Sequence, residues 1–491
     1  MPRLSLAEIQ SDAVHRDGVS VMEYDRSGVT PGIVHLGIGA FHRAHMAVYV
    51  DSLLKDAPDW GIIGASLRRP DTRDALAPQD FLYTVAIRDA EGTRCRIIGS
   101  VLDVLDASSD RSELIETMAD PKIRIVSLTV TEKGYCHDPA TGELDEDHPD
   151  IVHDLAHPDD PISAPGIILA ALARRQAAEL VPFTVMSCDN LPANGETARR
   201  IVRRLAELRG DTKLTKYVHS VSFPSTMIDR IVPATTDEDR ALVTEQTGLD
   251  DAWPIMTEPF TQWVIEDDFP AGRPPFETVG AQLVDDVEPF ELMKLRMLNG
   301  SHSTMAYVGY LSGYQYVSEA ISDAAIHRLI RNLMTEEAMP TLPMGADVLA
   351  PYRDELLARF ANPALQHRTW QIAMDGSQKL PQRLLGTARA RLEKDQSIER
   401  LALGVAAWMR YVTGRDEKGE AIDVKDPMAS RLREIADAAG GDPERLATGL
   451  MALPEIFGAD LPENPAFTGP VILALKSLYA TGASVTATAV G

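Results

Sequence analysis

Three polar residues, Lys294, Asn299 and His302, interrupt the otherwise apolar segment ELMKLRMLNGSHSTMAYVGYL. At about 100° per residue of an α-helix they fall at roughly 0°, 140° and 80°, so they share one side of a helix. Burial among leucines disfavours the charged form of a lysine and lowers its pKa, which makes Lys294 a candidate general base near neutral pH. In the alternative interpretation Lys294 extends to water, Asn299-Gly300 ends the helix and His302 is a core residue.

A glycine-containing turn near the start of the chain has the order expected of a dinucleotide-binding unit. The strand pattern GIVHL leads into Gly37-Ile-Gly39, and a helical pattern follows from HRAH onward. In such units the first glycine allows a tight turn, the second lets the backbone approach a pyrophosphate, and the next helix begins at the phosphates. His42 stands where the third glycine of the G-x-G-x-x-G pattern is expected, and a simple turn is the alternative.

Longer motifs are spread over nearly the whole chain. They are GIGAFHRAH (37–45), TEKGYC (131–136), SCDN (187–190), TMIDRIVPA (226–234), EPFTQWVIEDDF (258–269), KLRMLNGSH (294–302) and HRTWQIAMDGSQKLPQRLL (367–385). Together they resemble the mannitol dehydrogenase family of polyol-specific long-chain dehydrogenases, including its fructuronate reductase (mannonate oxidoreductase) branch. The resemblance implies an NAD-dependent oxidoreductase that works without a metal.

The resemblance also implies roles for four residues. In the family pattern the lysine that matches Lys294 is the general base, and the asparagines that match Asn190 and Asn299 donate hydrogen bonds to the substrate oxygen. The histidine that matches His302 orients the substrate. Hydride transfer needs such a set: a proton acceptor, donors for the developing alkoxide, and a nicotinamide against the reacting carbon. In the alternative interpretation, Asn190 caps a helix that begins near Pro192.

Asp229, Lys379 and Arg368 are candidate substrate-binding residues. Asp229 and Lys379 match family positions that face the substrate, although a structural role is the alternative for each. A sugar acid needs a cation for its carboxylate, which Arg368, Lys379 or Arg383 can supply. A neutral polyol needs only hydroxyl partners, which the same side chains can provide. Glu132 in TEKGY is a candidate proton relay and, equally, a candidate turn cap.

Five residues are candidates for cofactor binding: Gly37, Gly39, Phe41, Arg43 and Asp71. Arg43 follows the glycine turn and is placed to hold a phosphate, with a solvated helix charge as the alternative. The strand pattern WGIIGASL is followed by Arg68-Arg69-Pro70-Asp71. Asp71 could supply the carboxylate that binds the adenosine ribose of NAD, whereas the two arginines suit the 2′-phosphate of NADP. We expect NAD, with NADP as the alternative.

The substrate class is less constrained than the reaction. The block GASLRRPDTRDALAPQDFLYTV (64–85) resembles the mannitol enzymes, and the C-terminal block also resembles the fructuronate reductases. We expect interconversion of a linear polyol and its 2-ketose, as between mannitol and fructose. The first alternative is fructuronate reductase activity, and a hypothesis of another class is a sensor that binds NAD and sugar without catalysis. The base, the two amides and the histidine argue against the sensor.

Composition limits the partners. The net charge of −25, from 73 acidic and 48 basic residues, disfavours nucleic acid and anionic membranes and leaves a small-molecule polyol, ketose or sugar acid. No window approaches about 20 consecutive apolar residues, and the first residues lack the pattern of a signal peptide. We therefore expect a cytoplasmic enzyme of undetermined oligomeric state. The three cysteines form no disulfide or metal pattern.

The elements that must position these residues fall into two regions. From Gly32 to about Val284, β-rich runs alternate with helical stretches such as 164–180 and 195–208, which predicts an α/β domain with a Rossmann-type, mostly parallel sheet. From about Asp285 onward, helical patterns follow one another. For 491 residues we predict a dinucleotide-binding domain over 1–285 and a predominantly α-helical substrate-binding and catalytic domain over 286–491.

One segment resembles a metal-binding sequence. His148, His153 and His157 interleave with aspartates in DEDHPDIVHDLAHPDDP (145–161). Its prolines disfavour a regular helix, and neither pair of successive histidines, five and four residues apart, has an evident third ligand. We therefore expect a solvated loop and no metal site.

Overall fold

The computed structural model describes residues 1–10, 16–138 and 141–491. The chain divides into two compact units, Met1–Glu288 and Pro289–Gly491. The roles predicted for the two domains, in cofactor and in substrate binding, stay predictions. No helix in the described ranges is both long and apolar enough to cross a bilayer.

The first unit contains all of the β-strands found in the described residues. They are β1 (Val19–Ser20), β2 (Pro31–Leu36), β3 (Gly61–Ser66), β4 (Tyr83–Asp89), β5 (Gly92–Ile98), β6 (Val101–Asp106), β7 (Ile125–Leu128), β8 (Thr184–Ser187), β9 (Thr226–Asp229), β10 (Ile255–Thr257), β11 (Gln262–Glu266) and β12 (Gln282–Val284).

The α-helices of this unit surround the strands. They are α1 (Leu6–Ile9), α2 (Ala40–Ala44), α3 (Met46–Leu53), α4 (Asp71–Leu76), α5 (Arg111–Ala119), α6 (Pro149–Ala156), α7 (Ala164–Ala177), α8 (Asn194–Leu208), α9 (Thr212–Val218) and α10 (Asp237–Thr247), and α11 (Glu288–Met293) begins at the last residue of the unit.

The central sheet has five parallel strands in the order β6-β3-β2-β7-β8. This is the order of a Rossmann-type sheet, in which the strand order reverses beside the first strand, here between β2 and β7. Ligands bind such sheets outside the carboxyl ends of the strands at that point. The predicted mostly parallel Rossmann-type sheet is confirmed, and Gly37 and Thr129 follow the two strands that flank the reversal.

Both faces of the central sheet are buried, because alternate residues pack into different cores. Val34, Val126 and Val185 lie in a core with residues of α5, α7 and α8. Ile33, Ile125 and Met186 lie in a second core with residues of α3 and Trp263. Burial on both faces explains the nearly continuous apolar runs of these strands.

The remaining strands form two smaller sheets, ordered β1-β5-β4-β10 and β12-β11-β9. The apolar run CRIIGSVLDVL (95–105) belongs to two strands: β5 pairs antiparallel with β4, and β6 joins the central sheet. Gly99 and Ser100 separate them. The chain therefore changes sheet within one apolar run.

The second unit is built from helices. They are α12 (Gly300–Leu311), α13 (Val317–Ser322), α14 (Ala324–Asn332), α15 (Ala346–Phe360), α16 (Thr369–Ala373), α17 (Gly376–Leu380), α18 (Gly386–Leu392), α19 (Glu399–Tyr411), α20 (Ala429–Ala439), α21 (Pro443–Met451), α22 (Pro454–Phe457), α23 (Pro465–Thr481) and α24 (Ala483–Val490), and π-helical segments cover Lys294–Asn299, Leu333–Ala338 and Pro381–Leu385.

The core of the second unit forms around α12, which is buried almost along its whole length. Gly404 of α19 packs against it so closely that a Cβ atom there would lie 2.6 Å from Thr304 Oγ1. Trp408 and Tyr411 of α19 are also buried. This packing fixes α12, whose first turns carry the predicted catalytic histidine.

Candidate active site

The glycine turn after β2 has the conformation that the sequence predicts. Gly37 has a φ of +91°, and a Cβ atom at this position would lie 2.2 Å from the carbonyl oxygen of Thr129. The Thr129 hydroxyl donates to the carbonyl of Gly37 over 2.8 Å. The loops after β2 and β7 therefore touch each other, and only glycine fits where they meet.

Gly39 has a different reason to be glycine. Its φ of −77° suits any residue, and a Cβ atom would meet nothing nearer than the Gly37 oxygen at 3.8 Å. Nothing in the described protein therefore requires glycine here, and the exposed space in front of Gly39 fits a pyrophosphate that approaches the backbone. The following helix breaks at His45, which has φ −118° and ψ −95°, into α2 and α3.

His42 is buried beside this turn. Its ring stacks on that of His35, with centroids 3.4 Å apart, and both of its nitrogens lack a hydrogen-bond partner among the described residues. Burial lowers the pKa of His42 well below its usual value, with smaller contributions from His35 and Arg43. A neutral histidine with two unsatisfied nitrogens at this turn fits a polar ligand group. Phe41 is half-buried and stacks on His45.

Arg43 points into the protein. It is only 2% exposed and donates over 2.7 Å to the carbonyl of Trp253. Its guanidinium also lies over the ring of Tyr83, 5.3 Å from the centroid. The alternative of a solvated helix charge is therefore wrong, and a phosphate contact by Arg43 stays a prediction. Burial lowers its pKa to about 10.

The residues after β3 are exposed. Arg68 and Arg69 follow the strand, and Asp71 begins α4, where its carboxylate lies 3.8 Å from Arg69 Nε. Exposed ion pairs of this length contribute little to stability, so both side chains remain available to a ligand. The choice between ribose and 2′-phosphate recognition is not made by this geometry.

Asn190 and Asp229 both lie in the first unit. Asn190 is exposed and follows the end of β8, and Asp229 is buried at the end of β9. The Asn194 side chain joins the two regions, because its Nδ2 donates to the carbonyls of Asp189 and Thr226 over 2.9 Å each. The helix after β8 begins at Asn194 with Ala193 as its N-cap, so Asn190 is not at the N-cap position of that helix.

Asp189, beside Asn190, is a buried acidic residue that the sequence interpretation did not single out. Its buried carboxylate accepts hydrogen bonds from the backbone N–H groups of Val130 and Thr131 and from the Tyr135 hydroxyl. Burial raises the pKa of Asp189, and the nearby charge of Glu132 acts in the same direction. An acidic residue directly after an apolar strand was the signal that could have identified it.

The histidine segment contains a helix rather than the expected loop. Proline is tolerated at the first helical position, and Pro149 begins α6. Cys136, His148 and Asp150 have ligand-type atoms within 4.8 Å of one another. However, Nδ1 of His148 accepts the N–H of Asp150 over 3.2 Å, so the neutral ring carries its proton on Nε2, where a metal would have to bind. The absence of a metal site stays a prediction.

In the second unit, Lys294 and Asn299 bound a π-helical segment. The N–H of Gly300 bonds to the carbonyl of Leu295, five residues earlier, so the predicted α-helical angles do not hold here. The helix also continues through Gly300 instead of ending there. A Cβ atom at Gly300 would lie 2.8 Å from the carbonyl oxygen of Arg383, so the two π-helical segments approach closely. Lys294 is half-buried and Asn299 is buried.

His302 is buried in the first turn of α12. Its ring stacks on Phe360 and makes an edge contact with His367, with centroids 5.4 and 4.8 Å apart. Burial lowers the pKa of His302 well below its usual value, and His367, Arg383, Arg359 and Lys379 act in the same direction. Its Nε2 has no hydrogen-bond partner among the described residues. A neutral ring with an available nitrogen can bind a hydroxyl group.

Lys379 and Arg383 lie near His302. The Lys379 ammonium donates to the carbonyls of Ile372 and Met374 over 3.3 and 2.6 Å. Burial, followed by the charge of Arg383, lowers the pKa of Lys379 to about 8. Arg383 donates to the Ser303 hydroxyl over 3.2 Å.

Arg368, by contrast, is exposed and lies over the Tyr316 ring. The structure therefore brings Lys379 together with His302 and leaves Arg368 at the surface. Substrate binding by either residue stays a prediction.

Comparisons with known proteins cover most of the chain. Residues 31–278 match the family model described as the mannitol dehydrogenase Rossmann domain, and residues 286–479 match the mannitol dehydrogenase C-terminal domain. D-mannonate oxidoreductase of Escherichia coli is 49% identical over 94% of this chain and 96% of its own length. Mannitol dehydrogenase DSF1 of Saccharomyces cerevisiae is 42% identical over 94% of this chain and 92% of its own.

A solved structure also matches. Mannitol 2-dehydrogenase of Pseudomonas fluorescens, in a ternary complex with NAD and D-mannitol, has a TM-score of 0.87 and 39% identity, with 99% of each chain covered. The predicted resemblance is thereby confirmed over both matched regions.

Proposed function

The chain belongs to the mannitol dehydrogenase family, and from this premise we propose that it is an NAD-dependent oxidoreductase acting at C2 of a linear polyol or sugar acid. The structural observation that supports the proposal is the buried, neutral His302, three residues after Asn299. A ring that does not titrate in the working range can orient a hydroxyl group without competing for its proton.

Lys294 is proposed as the general base that takes the hydroxyl proton during oxidation. Asn299 lies at the other end of the same π-helical turn, where it can donate to the alkoxide that develops. Asn190 is proposed as the second amide donor. An amide suits this role because it stabilises negative charge without itself titrating.

Gly37 and Gly39 are proposed to hold the dinucleotide, with His42 beside them. The open space at Gly39 and the two unsatisfied nitrogens of His42 support this assignment. When bound, the nicotinamide supplies the hydride acceptor for alcohol oxidation. We propose NAD over NADP, with Asp71 as the ribose ligand, because the matching ternary complex contains NAD.

The substrate proposal has two candidates. The sequence motifs favour a neutral polyol that is oxidised to a 2-ketose, as in the mannitol complex. The second unit offers a place for a sugar acid, because the cations Arg383, Arg359 and Lys379 lie near His302. Asp375 and Asp426 lie near Lys379 and oppose part of this charge. A substrate carboxylate could bind beside these cations.

A substrate panel tests the proposal. NADH formation is measured at pH 9 to 10 with mannitol, arabinitol, sorbitol and mannonate, and NADH consumption with fructose and fructuronate, each repeated with the NADP couple. We expect turnover with NAD and, when the two substrates are compared at pH 7, where Lys379 carries its charge, a kcat/KM for mannonate above that for mannitol. No turnover with any pair would favour a binding protein instead, and a preference for mannitol would remove the sugar acid.

A further inference from the structure

The loops after β7 and β8 are joined by one carboxylate. The two strands are parallel neighbours, with Leu128 opposite Ser187, so both loops leave the same edge of the sheet. Asp189 accepts from the N–H of Val130 over 2.9 Å and from the N–H of Thr131 over 2.8 Å. The Tyr135 hydroxyl donates to the same carboxylate over 2.8 Å. All three donors belong to the loop that carries Glu132.

Thr131 has an unusual backbone conformation. Its φ of +65° and ψ of 164° lie in a region that is populated almost only by glycine. A β-branched residue is strained there, so surrounding contacts must hold it in place. The N–H of Thr131 is one of the two backbone groups bound by Asp189, and Glu132 is the next residue.

We propose that Asp189 is a positioning residue, whose carboxylate holds Thr131 in this strained conformation and thereby fixes Glu132 relative to Asn190. The ionised carboxylate is suited to the task, because its two oxygens accept three hydrogen bonds at once. Asp189 precedes Asn190 directly, and its own carbonyl is held by Asn194. The same residue thus orders the two loops that carry the proposed amide donor and the candidate proton relay.

The catalytic consequence rests on the proposed function, but the structural claim does not. If Asp189 holds a strained Thr131, the strain is relieved when Thr131 is replaced by glycine, which adopts this conformation without penalty. The benefit of Thr131→Gly must then be larger when the carboxylate is present, because without it Thr131 can relax. The nearly isosteric Asp189→Asn removes the carboxylate and places an N–H₂ group against N–H or O–H donors.

A double-mutant cycle on stability tests the structural claim. The unfolding midpoint is measured for wild type, Asp189→Asn, Thr131→Gly and the double variant. We expect Thr131→Gly to raise the midpoint of wild type by about 1 to 3 °C more than it raises that of Asp189→Asn. Tyr135→Phe is the matched control, because it removes one donor to Asp189 and leaves the bond to Thr131, so Thr131→Gly should raise its midpoint as much as it raises that of wild type. Equal shifts in all backgrounds would overturn the proposal.

A second cycle tests the consequence for catalysis. Asp189→Asn and Glu132→Gln should each lower kcat roughly ten- to hundredfold. The kcat of the double variant should be no lower than that of the slower single variant. The Kd for NADH should be unchanged in all three. If the two losses in kcat multiply in the double variant, Asp189 does not act through Glu132. If the wild type itself turns over no substrate, the proposed function fails while the stability cycle still decides the role of Asp189.

Discussion

Replacing Gly39 by alanine should weaken cofactor binding without harming the fold. The added Cβ atom would lie in open space, 3.8 Å from the nearest protein atom outside its neighbours, at a φ of −77° that alanine accepts. Loss of glycine entropy in the unfolded chain should even stabilise the protein by about 0.4 to 1 kcal/mol. The same Cβ atom would push a pyrophosphate away from the backbone.

The size of the binding loss follows from the interaction that is lost. A hydrogen bond from a backbone N–H to a charged oxygen contributes about 1.5 to 3 kcal/mol, which corresponds to a Kd for NADH roughly 10- to 150-fold higher. The assay is a fluorescence titration of NADH, with a thermal unfolding curve of the same sample. An unchanged Kd in Gly39→Ala would refute the placement of the pyrophosphate at Gly39.

Gly37→Ala is the matched control. Its φ is +91° and its Cβ atom would lie 2.2 Å from the Thr129 oxygen, so the loop itself must move. A left-handed alanine costs about 1 to 2 kcal/mol and overpacking about 1 to 3 kcal/mol, so this variant should lose roughly 2 to 5 kcal/mol of stability. Gly39→Ala should therefore lose cofactor affinity, whereas Gly37→Ala should lose folding stability.

Further predictions concern the cations of the second unit. Arg383→Gln should raise the KM for mannonate about tenfold or more and change that for mannitol little, because only the acid presents a carboxylate; equal changes would argue against the carboxylate contact. Lys379 has a pKa lowered to about 8, so it loses its charge as the pH rises through that value. The Kd for mannonate should therefore increase between pH 7 and 9.5 in wild type and stay level in Lys379→Met. An equal increase in both proteins would show that a group other than Lys379 causes the pH dependence.

The sequence predicted the features that depend on local pattern. Strand β2, the glycine turn after it and the change from alternating to helical patterns each have a residue period or composition that is visible in the sequence. The Rossmann-type sheet and the Gly37 turn follow from these signals. The division of CRIIGSVLDVL between two sheets does not, because Gly99 and Ser100 interrupt an apolar run without any strong turn signal.

Other features depend on tertiary contacts that the sequence does not display. The π-helical turn at Lys294 forms where Gly300 meets the carbonyl of Arg383, more than 80 residues later. The burial of Arg43 could not be predicted either, because its partner Trp253 is far along the chain. The role of Asp189 likewise follows from two loops that meet only in the folded sheet.

The central claim is that Lys294 accepts the substrate proton, and its most direct test is the turnover of Lys294→Ala. NADH formation with the best substrate of the panel is measured at pH 9 to 10, alongside the Kd for NADH. A lost general base should lower kcat by about 10²- to 10⁴-fold, while the Kd for NADH stays within twofold of wild type. A kcat within threefold of wild type, in a variant that still binds NADH, would contradict the account.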